Sequence, residues 1–240
     1  MPKRNENLII KILSVILLVL VARYLIVSKE VISVLSSQSN VDEATAKYRV
    51  VIDPGHGGRD SGKVAANGAL EKDINLEIAK KLKTFLEAQD VFVIMIREVD
   101  EGLYSPNASN KKVEDMKNRL VMIESANADL AVSIHQNSYH QESIRGAQVF
   151  YYSTSSAGKK LANIIQAQLI AGVDPNNKRE AKGNDGYYLL KKTTIPIAII
   201  ECGFLSNPAE TEKLVDDYYQ EKLAWSIHLG IMQYLNQSQN

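Results

Sequence analysis

Four histidines occur in this sequence, His56, His135, His140 and His228, and two of them stand at the ends of short apolar runs. His56 follows a β-branched run in VVIDPGHGG, and His135 ends the run in ADLAVSIH. Two carboxylates have comparable settings: Glu71 precedes a helical pattern in LEKDINLEIAKKL, and Glu201 closes PIAIIE. Two imidazoles and one carboxylate are a known catalytic zinc set, with a fourth position left for water. A cation held that way acidifies water and polarises a carbonyl. A further carboxylate must then accept the proton and return it to a leaving amine, and Glu201 is the candidate. Its charge, buried at a strand end, would be costly without a cation or a reacting proton nearby.

Other chemistry fits the same residues. The intervals between His56, Glu71 and His135 are far longer than the i, i+4 pair of helical zinc motifs, so spacing leaves the metal open. A histidine after a strand is often a loop residue held by hydrogen bonds. The glycines around His56 could serve a tight turn or cradle a phosphate, although no GxGxxG or GK[ST] is present. Glu71 could simply favour a helix dipole. Cys202, the single cysteine, could be a nucleophile, but free cysteine usually packs in a core. His228 lies among apolar residues and reads as structural. The pairs Tyr151-Tyr152 and Tyr187-Tyr188 are either groove-lining or half-buried.

Positioning these groups requires a scaffold, and from Tyr48 onward the pattern is strand, loop, helix, repeated. Tyr48 to Asp53 is a strand stopped by Pro54-Gly55. Ile74, Ile78, Leu82, Phe85 and Leu86 share one helical face, with Asp73 placed to cap it. Val91 to Ile96 is a continuous apolar run of the kind buried parallel strands require. Val113, Met116, Leu120 and Ile123 mark a second helix. Strands follow at Leu130 to Ile134 and Gly146 to Tyr152, a helix at Ser156 to Ala171, a strand at Ile195 to Cys202 and a closing helix at Tyr218 to Leu235. This alternation predicts a single α/β domain with a mostly parallel twisted sheet flanked by helices on both faces. Chemistry in such sheets gathers beyond the carboxyl ends of the strands.

The chain has 240 residues, 45% of them hydrophobic and 23% charged, which fits one folded domain with an appendage. A formal net charge of zero argues against a nucleic-acid partner. One cysteine excludes an intrachain disulfide framework and any multi-thiolate cluster. The appendage comes first. Residues 1–27 carry early basic residues and the uncharged run ILSVILLVLVA, and read as a hydrophobic helix that is a membrane anchor or signal segment. Basic residues before the run put the N-terminus inside and the rest outside the cytoplasm. Residues 28–47 read as a polar spacer, and residues 48–240 as the catalytic domain.

Four ordered blocks, VVIDPGHGG, LEKDINLEIAKKL, ADLAVSIHQNS and PIAIIECGFLSNPAE, resemble the zinc-dependent N-acetylmuramoyl-L-alanine amidases of the type 3 family. The resemblance runs from about Arg49 to Leu235. It implies that His56, Glu71 and His135 bind one zinc ion and that Glu201 is the catalytic glutamate. It also matches Arg97 and Asp100 to an R-x-x-D element, and Arg119 to a helix arginine. Arg97 and Asn137 are candidates for positioning substrate. Gln136 departs from the family pattern, in which a small residue follows the third ligand, and would put polar bulk beside the ion. Ser138 stands where alanine is common. RGAQVFYYSTS and GYYLLKK are similar to the germination-specific subgroup of endospore-forming bacteria. That likeness implies removal of stem peptides from spore cortex as a step toward muramic-δ-lactam, in the forespore intermembrane space or cortex. An activating lipoprotein or membrane partner is compatible with it. The alternatives are a general wall amidase in division or autolysis, an idle peptidoglycan-binding protein on the same fold, and a peptidase acting within the stem.

Overall fold

The structure, a computed structural model, describes residues 41–237. The expected hydrophobic segment and most of the spacer lie outside the described residues. Among the described residues no helix is long and apolar enough to cross a membrane.

Six strands form one sheet: β1 (Tyr48–Pro54), β2 (Val91–Met95), β3 (Leu130–Asn137), β4 (Gln148–Tyr151), β5 (Lys182–Gly183) and β6 (Ile197–Phe204), in the order β2-β1-β3-β6-β4-β5. β2, β1, β3 and β6 run parallel, while β4 is antiparallel to β6. The helices are α1 (Glu71–Glu87), α2 (Lys111–Ser125), α3 (Ser156–Gly172), α4 (Tyr188–Lys192), α5 (Pro208–Leu214) and α6 (Asp217–Gln237). One sheet face packs on α1, α3 and α6 through Ile78, Leu82, Leu161, Ile165, Ile227 and Ile231. The other packs on α2 and α4 through Ile123, Leu189 and Leu190. Each such aliphatic side chain, once buried, contributes roughly 1.5–3 kcal/mol before entropy is charged against it.

Pleating decides which residues face which layer, because successive side chains point to opposite sides. Val50 and Ile52 of β1 enter the α1 side and Val51 the α2 side, so Asp53 follows Val51. Leu130, Val132 and Ile134 of β3 likewise enter the α1 side, leaving Ala131, Ser133 and His135 facing α2. In β6, Ala198, Ile200 and Cys202 take the α1 side, and Ile197, Ile199 and Glu201 the other. Three adjacent strands therefore bring Asp53, His135 and Glu201 to one face in their carboxyl-terminal halves. The connections from β1 to β2 and from β2 to β3 place neighbours on opposite sides of β1, the switch point where α/β sheets open a crevice.

Several expectations change in detail. Asp73 does not cap α1: the helix starts at Glu71, and Leu70 occupies the cap without a side-chain bond. The helix marked by Val113, Met116, Leu120 and Ile123 is α2, and its buried residues are Arg119 and Ile123, while Val113 is 46% exposed. β6 continues to Phe204, so Glu201 sits inside the strand rather than at its end.

Candidate metal centre

Ligating atoms of His56, Glu71 and His135 all lie within 4.8 Å of one another. Glu71 Oε1 is 3.1 Å from His56 Nε2 and 3.0 Å from His135 Nδ1. The two imidazoles meet edge to face, with ring centroids 5.0 Å apart. Each candidate ligand comes from a different element: the loop after β1, the first residue of α1, and β3. The elements alone do not fix the geometry, and a set of braces does.

Glu71 is held from both sides. The Lys63 N–H donates to its Oε2 at 2.7 Å and the Gln136 N–H to its Oε1 at 3.1 Å. Burial would raise its pKa, but the facing imidazoles of His135 and His56 hold it well below the usual carboxylate range. Asp60 Oδ2 lies 3.0 Å from His56 Nδ1, the carboxylate–histidine arrangement that orients a ligating ring. Burial disfavours protonation of His56, while Glu71 and Asp60 together outweigh it and raise the pKa.

His56 has φ 63°, a left-handed conformation that costs a non-glycine residue of order 1–3 kcal/mol. Arg119 holds it there, its Nη2 donating to the His56 carbonyl at 2.6 Å and its Nη1 to the Pro54 carbonyl at 2.9 Å. The same guanidinium is anchored on Asp53 at 2.5 Å and Asp115 at 2.6 Å, and Ser133 donates to the other Asp53 oxygen at 2.6 Å. Lys72 reaches the Gly58 carbonyl at 3.0 Å and Asp100 at 2.5 Å, and Asp100 in turn accepts from the Gly58 N–H at 2.8 Å.

Two glycines keep the space around these side chains clear. A β-carbon at position 55 would collide with the His135 ring, and one at position 62 would come within 2.7 Å of His56 Cδ2 and 2.5 Å of Glu71 Oε2. The donor set, its oriented histidine and this cleared space fit a single divalent ion of the zinc type. Gly55→Ala is therefore expected to displace the His135 ring and weaken metal binding. Metal titration against the parent protein reads the change, with circular dichroism confirming that the fold survives.

Glu201 lies opposite His135 in the β3–β6 register. It is only 6% exposed, and its Oε1 accepts from the Tyr187 hydroxyl at 3.1 Å. Its Oε2 is buried with no hydrogen-bond partner. Burial raises its pKa; His135 opposes that and Glu71 reinforces it. Tyr187 is pushed up as well, by burial and then by Glu201, so its hydroxyl stays protonated and donates. Sequence reasoning treated Tyr187 as one of an ambiguous aromatic pair; the signal available was only its place before an apolar turn.

The remaining candidates separate. Arg97 is buried, and its guanidinium donates to the carbonyls of Pro54, Gly55, Lys72 and Val99 at 2.7 to 3.1 Å. It therefore clamps the loop that carries His56. Asn137 is half-buried, accepts from the Ser138 N–H at 2.7 Å and does not line the cavity at the ligands. Gln136 faces away from the cavity: its Nε2 donates to Asn75 Oδ1 at 3.2 Å, and Asn75 donates to the Gly55 carbonyl at 3.1 Å. It braces the site from below instead of crowding an ion. Cys202 is fully buried on the α1 side, where burial raises its thiol pKa, so it does not act as a nucleophile. His228 packs against Phe85 and Trp225.

A cavity of about 410 Å³ opens over His56 and His135, bounded by α2 and by Tyr187, Tyr188 and Leu189. It is large enough for an extended substrate segment at the metal-ligand cluster.

Comparison with known proteins identifies the family. Residues 50–233 match the family model described as N-acetylmuramoyl-L-alanine amidase, of the type 3 class. The chain is 40% identical over 191 residues to the germination-specific N-acetylmuramoyl-L-alanine amidase of Bacillus subtilis (strain 168), covering 78% of this chain and 80% of that protein. It is similar to the CwlD amidase of Clostridioides difficile, solved in complex with the GerS lipoprotein, with 42% identity and a TM-score of 0.77 over 79% of this chain and 99% of that one. An N-acetylmuramoyl-L-alanine amidase of Clostridium difficile 630 matches at 34% identity and a TM-score of 0.70, over 79% of this chain and 97% of that one. A family match over most of the chain, carried on a fold that brings ligating atoms of His56, Glu71 and His135 within 4.8 Å of one another, shows that the protein belongs to the N-acetylmuramoyl-L-alanine amidases, enzymes that hydrolyse peptidoglycan.

Proposed function

We propose that the protein is a zinc-dependent amidase that cleaves the bond between the lactyl carboxyl of N-acetylmuramic acid and L-alanine, with His56, Glu71 and His135 holding the ion and Glu201 moving the proton. The observation that carries this is the buried, partnerless Glu201 Oε2 beside three converging ligand atoms. Zinc in that set would supply acidified water and polarise the scissile carbonyl. Glu201 has the means to take a proton, since burial favours its neutral form. Tyr187 pins the other oxygen, so the proton-carrying oxygen has one orientation. Glu201 then protonates the leaving alanine nitrogen. Asp60 and the backbone donors to Glu71 keep the ligands oriented.

His135→Ala is expected to retain the fold and lose most bound zinc, because the two remaining ligands make a poor site. Elemental analysis of the purified protein checks it, and stoichiometric zinc in the variant would remove His135 from the set.

The biological setting extends the same reading. The germination-specific relative supports action on spore cortex, where stripping the stem frees the lactyl carboxyl that a later deacetylated amine needs to close a lactam. Residues 1–27 would tether or export the enzyme, residues 28–47 would space it from the membrane, and residues 48–240 would act outside the cytoplasm, in the forespore intermembrane space or cortex. The relative solved with a lipoprotein supports a comparable activating partner. Mass spectrometry of cortex from spores lacking the protein tests the setting: absence of muramic-δ-lactam is expected, and a normal lactam content would instead favour a vegetative wall role.

A further inference from the structure

We infer that the cavity over the metal-ligand cluster receives the peptide side of the substrate, and that Arg59 and Lys111 recognise the α-carboxylate of the second stem residue. The inference rests on the amidase reading above and adds the direction in which substrate lies.

The chain as a whole has no net charge, yet this cavity is unevenly charged. Arg59, Lys111 and Lys112 line it, and among the described residues none of them lies within ion-pair distance of a carboxylate. Its acidic residues are already committed: Asp53 and Asp115 to Arg119, and Asp60 to His56. Of these three cations, Arg59 and Lys111 are the two whose residues meet Tyr104.

Both residues border one aromatic ring: the Tyr104 hydroxyl accepts from the Arg59 backbone N–H at 3.0 Å, which fixes where that side chain leaves the loop, and the Lys111 ammonium sits 5.3 Å from the centre of the Tyr104 ring. Tyr104 is itself fixed, lying so close to Gly102 and Gly58 that a β-carbon at either would strike it. Arg59 follows the metal-ligand candidate His56 by three residues, which ties the cationic end to the ligand cluster. Lys111 and Lys112 open α2, where a cation opposes the helix dipole and weakens the helix. A folding argument therefore disfavours them there, whereas an anionic ligand would favour them.

The substrate's chemistry supplies that anion on one side only. Muramic acid's single carboxyl is consumed in the scissile amide, so the glycan side is neutral. The stem beyond L-alanine is acidic: D-glutamate is joined onward through its side chain, which leaves its α-carboxylate free one residue from the cut. A cationic cavity beside the ligands matches the peptide side.

The test uses zinc-loaded protein and glycan fragments with tripeptide stems that carry D-glutamate or D-isoglutamine at the second position, plus a third stem amidated only at its C-terminus. The parent enzyme is expected to favour the D-glutamate stem about tenfold in kcat/KM, through KM, as for a charge-assisted contact. The preference should shrink with added salt and fall toward unity in Arg59→Ala/Lys111→Ala. An unchanged ratio in that variant, or a preference that follows the C-terminal carboxylate instead, would overturn the assignment. Cleavage at a different amide would overturn the underlying amidase reading and the subsite with it, an outcome that the product masses identify separately.

Discussion

Glu201→Gln is expected to lower muropeptide turnover by about 10²–10⁴-fold, the range for removing a positioned acid–base group. The amide is nearly isosteric with the carboxylate and keeps an oxygen for the Tyr187 hydroxyl, so the pocket does not collapse. It has no proton-accepting carboxylate, so neither half of the proton transfer proceeds. Zinc content should stay at the parent level, because Glu201 is not one of the three converging ligands. Stability should be unchanged or higher. Burial penalises this carboxylate, and its Oε2 has no partner, so neutralising it removes a cost. High-performance liquid chromatography of released stem peptides measures the first effect and thermal unfolding the second. Turnover near the parent rate would take Glu201 out of the mechanism.

The largest stability effect is expected from Arg119→Ala, at about 3–5 kcal/mol, since cutting one member of a buried ion pair leaves the other unpaired. Asp53 is 1% exposed and Arg119 2%. Burial raises the Asp53 pKa, but the Arg119 guanidinium and the Ser133 hydroxyl outweigh it and hold the carboxyl below its usual value. The sign of the pH effect follows. With a folded pKa below the unfolded value of about 3.9, the unfolded chain binds more protons as the pH drops. The pair's stabilisation is present above that value and is lost as pH falls through the folded pKa. Arg119→Ala removes the cation and lets burial dominate, so the gap between parent and variant should be wide at neutral pH and narrow on acidification. Urea titrations at several pH values read this directly. Asp53→Asn/Arg119→Met should recover part of the stability while leaving activity low, because the His56 and Pro54 carbonyls still lose their donor. Full activity in the double variant would show that the left-handed turn at His56 needs no such brace.

The sheet was largely legible in the chain because its buried strands carry continuous β-branched runs and its helices carry 3.6-residue periodicity. The short elements β5 and α4 were not, since a two-residue strand and a five-residue helix are too short to display a period. The ligand candidates were visible as polar residues after apolar runs, but their convergence was not, because no local spacing links segments that meet only through the sheet. Family resemblance supplied that link. Tyr187 was missed for a related reason: an aromatic beside a turn has the same local pattern whether it packs or donates. Arg97 was misjudged because a charged residue at a strand end suggests ligand contact, whereas its four backbone acceptors come from three separate segments. Gln136 was misjudged because adjacency to His135 in sequence means opposite faces in a strand.

That back-to-back relation governs Glu201 and Cys202 too, Cys202 turned into the α1-side core and Glu201 to the opposite face of the sheet with Ile197 and Ile199. Losing or gaining one codon within this strand would trade their places, presenting a thiol to the α2 side and driving an acid into hydrocarbon. Evolution can therefore adjust this strand by replacing letters but not by changing their number, and tolerated length changes should accumulate in the stretch joining β3 to β4.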